Sequence, residues 1–279
     1  ARYMNPLTSM WYGVDPLAEK YPNVSAFVYC MGNPVKLFDP DGKKILFVNG
    51  HWTPGLPGEW LGSRYPGRKY WSNGFAQAAQ QYFDDYSQIT DNNYIDGSST
   101  CGFDMSGQDR YEKGYEYAKA NINELTKNMS KDEPFYMVTH SEGAAYGAGI
   151  AQYLLDNGYN VKKVLHLSAD EGDEFTTPAK PLTIQLAYDG DWVTGNKRIG
   201  NTDKFGLLDS EHLGWRFKHG TTKVSSIFKY AKELEKAVLL HWQGEVDGKF
   251  SDWYSVKQGT SNAKFVNING YRIKQQNEK

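Results

Sequence analysis

The chain has 279 residues, 39% hydrophobic and 23% charged, a composition that supports a buried core of one or two domains and excludes a disordered or fibrous protein. With 31 Lys and Arg against 33 Asp and Glu, the formal net charge is -2, so no sequence-wide positive field holds a polyanion and no nucleic-acid partner is expected. No apolar run approaches the roughly 18 residues that span a bilayer, and the first residues, Ala1 to Asn5, lack the charged-then-apolar order of a signal peptide.

Residues 1–42 are dense in turn-forming pairs: Asp15-Pro16, Tyr21-Pro22, Asn33-Pro34, Asp39-Pro40 and Asp41-Gly42. Proline removes backbone donors and pushes the residue before it out of the helical region, so only short strands such as 26–29 fit there. From Lys43 the pattern changes. Residues 44–48 form a short apolar run stopped by Asn49-Gly50, the mark of a buried strand, and a loop rich in Gly, Pro and Trp follows to Gly67. Residues 71–86 and 109–129 carry apolar positions at helical spacing, with Tyr111, Tyr115, Ala118, Ile122, Leu125 and Met129 on one stripe. Strands are predicted at 135–139, 161–167 and 182–188, and helices at 144–155 and 226–240. At the end, 265–268 and 271–274 flank Asn269-Gly270, a hairpin signal that adds an antiparallel edge. Strands alternating with helices predict an α/β domain with a mostly parallel sheet flanked by helices.

The sharpest chemical signal lies at Thr139-His140-Ser141-Glu142-Gly143. A strand runs into this segment and a helix rich in small residues leaves it, which is the setting of a nucleophile elbow. Ser141 is therefore the candidate nucleophile. The helix N-terminus aims the Glu142 amide at the position of a developing oxyanion. Thr139 departs from the Gly-x-Ser-x-Gly pattern and is expected to crowd the neighbouring strand. A serine needs a histidine base and an acid to orient it, which in α/β-hydrolases follow in the order Ser, acid, His. The strand at 182–188 runs into Asp189-Gly190-Asp191-Trp192-Val193. Asp191 is preferred as the acid because Asp-Trp-Val resembles the acid-x-Val run of hydrolases, with Asp189 as the alternative. His241, late in the chain, is the preferred base; His219 and His212 are alternatives, and His166, inside an apolar strand, reads as a core residue. The second oxyanion donor is expected at His51 or Trp52, in the loop after the first strand. There is no metal-ligand spacing around Cys30, Cys101 or any histidine, and no cofactor or metal is expected.

Asp15-Pro-Leu-Ala-Glu-Lys-Tyr-Pro22, Tyr29, Asn33-Pro34 and Asp39-Pro-Asp-Gly42 together resemble the segment that closes the shell of RHS-repeat proteins. Tyr70-Trp71, Tyr82-Phe83-Asp84, Ile95-Asp96-Gly97-Ser98, Asp109-Arg110, Gly114 and the serine turn are similar to the lipase-like C-terminal effector domains of Bacteroidetes RHS proteins. The resemblance implies a leader over 1–42, an α/β-hydrolase-like effector over 43–279, and ester hydrolysis. It also implies a secreted or delivered toxin, a parent RHS shell and a cognate immunity protein. A chain that opens without Met fits a fragment or processed product, and it is expected to be soluble. The expected activity is a metal-independent serine esterase acting on lipid or another ester. The alternatives are a catalytically silent module that binds glycan or protein through its 20 Tyr and 8 Trp, and an acyltransferase using the same serine.

Overall fold

The computed structural model describes residues 4–5, 10–11, 44–52, 65–98, 105–127, 129–208, 213–214, 217–236, 239–246, 249–256, 265–268 and 271–272. In the leader, β1 (Met4–Asn5) and β2 (Met10–Trp11) pair antiparallel. The expected strand at 26–29 and the proposed boundary at Gly42 lie outside the described residues.

The main layer is one sheet. In chain order it is built from β3 (Lys44–Asn49), α1 (Phe75–Phe83), β4 (Tyr94–Asp96), α2 (Gly107–Leu125), β5 (Pro134–His140), α3 (Gly143–Asp156), β6 (Asn160–Leu167), β7 (Leu182–Tyr188), β8 (Lys204–Leu208) and α4 (Ile227–Lys236). After α4 come β9 (Leu239–Val246), β10 (Lys249–Val256), β11 (Phe265–Ile268) and β12 (Tyr271–Arg272). The spatial order is β12-β11-β8-β7-β6-β5-β3-β4. Pairing is parallel from β4 through β8 and antiparallel for β11 and β12. The fold is α/β, with the C-terminal hairpin as its antiparallel edge.

The strands are apolar on both faces because both faces are covered. Ile45, Phe47, Tyr136, Val138, Leu165 and Ile184 pack with Phe75, Ala79 and Phe83 of α1 and with Ile227, Phe228 and Ala231 of α4. Their neighbours Leu46, Val48, Phe135, Met137 and Val164 pack with Ala118 and Leu125 of α2 and with Ile150, Ala151 and Leu154 of α3. The chain steps outward from β3 to β4, then returns past β3 to β5. That reversal is a topological switch point at the C-terminal ends of β3 and β5, the place where open α/β sheets bind ligands.

One expectation is corrected. The helix expected over 226–240 ends at Lys236, and Leu239 opens β9, which pairs with β10 in a separate two-stranded sheet. The small residues of α3 serve its packing on α2 as well as on the sheet. A Cβ on Gly149 would lie 1.9 Å from the Tyr111 carbonyl oxygen of α2, and one on Gly114 1.9 Å from the Tyr146 carbonyl oxygen. The two helices cross backbone to backbone there. Among the described residues no helix is long and apolar enough to cross a membrane.

Gly149→Ala forces that crossing apart and is expected to cost about 1–3 kcal/mol by overpacking. The measurement is the urea midpoint; an unshifted midpoint would show that α2 and α3 separate without penalty.

Candidate functional site

Between the end of β5 at His140 and the start of α3 at Gly143 the chain turns within two residues. Ser141 takes φ 55°, the left-handed region that side chains with a Cβ rarely occupy. Its amide donates to the Leu167 carbonyl at 3.1 Å and its carbonyl accepts from the Ala144 amide at 2.9 Å. The serine is 4% exposed, so only a small opening reaches it.

The end of β3 presses against this turn. A Cβ on Gly143 would come within 2.6 Å of the Val48 and Asn49 carbonyl oxygens, and one on Gly50 within 2.6 Å of Ser141 Cβ and 2.9 Å of the Glu142 amide nitrogen. Glu142 and the 50–52 loop therefore lie side by side, and the Glu142 amide opens a helix whose first N–H groups have no partner within it. Asn49, fully buried, shapes the loop: its Nδ2 donates to the Gly50 carbonyl at 3.0 Å and to Asp96 Oδ1 at 2.8 Å, while its Oδ1 accepts from the Gly67 amide. In a trans peptide the C=O and N–H point opposite ways, so the His51 N–H faces away from Asn49. Asp96 at the end of β4 also accepts from the Trp52 indole at 3.0 Å and from Ser98.

Asp191 and His219 meet. His219 Nδ1 donates to Asp191 Oδ2 at 3.0 Å, with Oδ1 at 3.2 Å, and the two residues are 1% and 7% exposed. The Val193 amide donates to the same carboxylate. Asp189 instead holds the turn, accepting from Asn196 Nδ2 on its side chain and from Lys218 Nζ on its carbonyl. His212 lies outside the described residues.

His241 takes a different place from the one expected. The end of α4 lies at the N-terminal edge of the sheet, where Lys163 near the start of β6 bonds the Glu235 carboxylate and Lys204 at the start of β8 bonds the Glu235 carbonyl. Ser141 is at the opposite edge. His241 then sits in β9, opposite Tyr254 of β10 in the separate ribbon; its side chain is outside the described part. Among the described side chains, the imidazole on Asp191 is that of His219.

Thr139 does not crowd β6. Its hydroxyl hydrogen-bonds His166 Nδ1 at 2.7 Å across the strand pair, and its methyl fills the space above Gly147, where a Cβ would be 2.6 Å away. His166 is a core residue, and burial pushes its pKa down to about 3. Arg110 of α2, 1% exposed, pairs through Nη1 with Glu142 and through Nε with Glu171 at 3.0 and 3.1 Å, tying the elbow to the loop after β6. Burial raises the Glu171 carboxyl to about 7 despite that guanidinium.

His140 is fully buried beside the serine. Its Nε2 faces the His219 carbonyl oxygen at 2.9 Å and its Nδ1 the Tyr70 hydroxyl at 2.6 Å. A carbonyl only accepts, so Nε2 carries the hydrogen. Burial, followed by the nearby His219, holds the ring well below the ordinary histidine pKa, hence neutral, and Nδ1 accepts from Tyr70. The sequence reading missed Tyr70, Asn49, Asp96 and Arg110 as parts of the site, although Asn49 at a strand end and the Asp96-Gly97-Ser98 turn were visible signals.

No protein-family model matches the chain, and no curated protein matches it significantly. The α/β fold and this geometry therefore carry the functional reading.

Two neutral buried histidines also set a pH response. His166 and His140 have folded pKa values below the unfolded 6.5, so the unfolded chain binds more protons as pH falls. Stability is expected in full above pH 6.5 and to decline from there toward about 3 for His166, each group adding a slope of up to about 1.4 kcal/mol per pH unit. Urea unfolding across that range checks it, and His166→Gln should flatten the slope.

Proposed function

We propose that the chain is a serine hydrolase that cleaves carboxylic esters, with Ser141 as nucleophile, His219 as base and Asp191 as the acid that orients it. The observation that carries the reading is the buried Asp191–His219 pair, whose imidazole packs with a ring-centroid separation of 4.7 Å on His140, the residue directly before the strained serine. Asp191 on Nδ1 leaves Nε2 of His219 as the basic nitrogen. In the reaction His219 takes the Ser141 proton as the hydroxyl attacks the acyl carbon, and returns it to the leaving alcohol. Water then repeats the sequence on the acyl-enzyme. The oxyanion is held by the amide of Glu142 and by an amide of the His51–Trp52 loop, at the N-terminus of α3.

The substrate class we infer is a lipid ester. Trp192 follows the acid and Phe217 precedes the base by two residues, and each is 55% exposed although large apolar rings are usually covered. Their loops touch: a Cβ on Gly190 would lie 3.0 Å from Lys218 Nζ. Two bare aromatics beside the acid and the base suit acyl chains presented at a lipid surface. The resemblance of residues 15–42 to the RHS segment adds the context of a delivered effector with a cognate immunity protein; that segment lies outside the described residues.

Ser141→Ala, Asp191→Asn and His219→Ala are each expected to lower turnover of a short-chain ester by about 10⁴-fold or more, with a fluorophosphonate probe labelling Ser141 in the parent chain only. His241→Ala should retain activity. Loss of activity in His241→Ala with His219→Ala still active would reassign the base, and an active Ser141→Ala would end the hydrolase reading. For the substrate class, the double change Trp192→Ser and Phe217→Ser is expected to lower the ratio of vesicle to soluble-ester turnover about tenfold, equivalent to about 1.4 kcal/mol. An unchanged ratio would remove the lipid surface from the proposal.

A further inference from the structure

Three segments far apart in sequence are joined at the end of β5 by one buried polar chain: the Tyr70 hydroxyl donates to His140 Nδ1, and His140 Nε2–H donates to the His219 carbonyl. The turn that ends at Tyr70 is tied to the loop at Gly50 through Asn49, whose Oδ1 accepts from the Gly67 amide and whose Nδ2 donates to the Gly50 carbonyl. Tyr70 closes a short 3-10 turn, Gly67–Tyr70, and both Tyr70 and His140 are fully buried, so no water competes for these bonds. We propose that Tyr70 and His140 are positioning residues that hold the oxyanion loop at Gly50 and the base loop at His219 in one fixed geometry about Ser141. This inference deepens the proposed hydrolase reaction and rests on it.

The argument is one of constraint. A histidine in a loop can be aimed only if its ring and its main chain are both held. Asp191 holds the ring through Nδ1, and His140 holds the main chain through the carbonyl. The ring contacts follow the same path, with centroids 5.5 Å apart for Tyr70 and His140 and 4.7 Å for His140 and His219. The chain ends on a carbonyl oxygen, which has no proton to pass on, so its role is placement and not proton transfer. It is also directional. The His219 carbonyl only accepts, which fixes the Nε2–H tautomer, and Tyr70 supplies the donor for the remaining Nδ1 lone pair; with Tyr70 lost that buried lone pair has no donor and the ring is held from one side only. Lys223 covers the outside, its Nζ reaching the Tyr70 carbonyl at 3.4 Å. Apolar side chains would fill this space with less desolvation cost, so a core-packing role alone does not account for the choice of Tyr and His.

The test compares Tyr70→Phe, His140→Gln and His140→Leu in the full chain. Tyr70→Phe is expected to lower kcat about 10- to 100-fold at near-constant KM and thermal midpoint, the scale of a displaced catalytic group. His140→Gln, whose side-chain amide can still donate to the His219 carbonyl, should exceed His140→Leu in kcat by about tenfold. Nitrogen-15 NMR should find His140 neutral and protonated on Nε2, with Tyr70→Phe shifting the His140 Nδ1 and His219 resonances. Parent-like kcat in both Tyr70→Phe and His140→Leu overturns the proposal, as does a His140 proton on Nδ1. Losses of kcat that merely track the thermal midpoint, with no rescue by Gln, also overturn it. Absence of any Ser141-dependent turnover in the parent chain would instead sink the hydrolase reading, while the NMR response of His219 to Tyr70→Phe still decides the coupling.

Discussion

A serine forced to φ 55° stays there only because every direction of relaxation is blocked. Such a backbone state costs on the order of 1–3 kcal/mol and must be imposed by neighbours. Here the imposition comes from the end of β3, whose carbonyls at Val48 and Asn49 leave room for nothing larger than glycine at Gly143. Behind the turn, the Ser141 amide is pinned to β6. The close packing of β3 on the elbow thus fixes the serine and sets the Glu142 amide beside the 50–52 loop, at the strand reversal. The Asn49–Asp96 bond and the Arg110 pair stiffen the same region from its two sides.

The polar groups buried around the elbow follow one rule: each is either neutral or paired. His140 and His166 are neutral and bonded through both nitrogens. Asp191 is matched by His219, and Arg110 by two carboxylates. Desolvating an unpaired charge would outweigh the folding free energy of a domain this size, whereas satisfied polar chains cost little and tolerate only one arrangement. The interior near the serine is therefore specified by hydrogen bonding, and the interior near the helices by shape.

The fold was legible where the pattern is dictated by burial. Apolar runs at 44–48, 135–139, 161–167 and 182–188 became strands β3, β5, β6 and β7 because a doubly covered sheet demands continuous apolar segments. β4 and β8 escaped because they are short, at three and five residues, and β8 contains a glycine. The elbow could be read from one continuous segment. The imidazole that meets Asp191 could not, since four histidines follow Ser141 and their positions in sequence do not tell which edge of the sheet they reach. The deciding fact is direction: β8 ends at the serine's edge, where His219 meets Asp191, while α4 carries the chain away from it. Tyr70 and Asn49 were illegible for a related reason, because their roles arise from contacts across 70 residues for Tyr70–His140 and 47 for Asn49–Asp96.

Those separations have a kinetic meaning. The His140–His219 bond closes 79 residues on top of the 70 already closed by Tyr70, and each closure sacrifices chain entropy before any contact repays it. Parallel pairing compounds this, since every neighbour in the sheet is reached only after a crossover, and topologies of high contact order fold slowly. During synthesis the β3–β5 pair can form before residue 219 has been made, so the serine turn can be assembled before the loop of His219. The Asp191–His219 pair reaches the elbow only through that later closure.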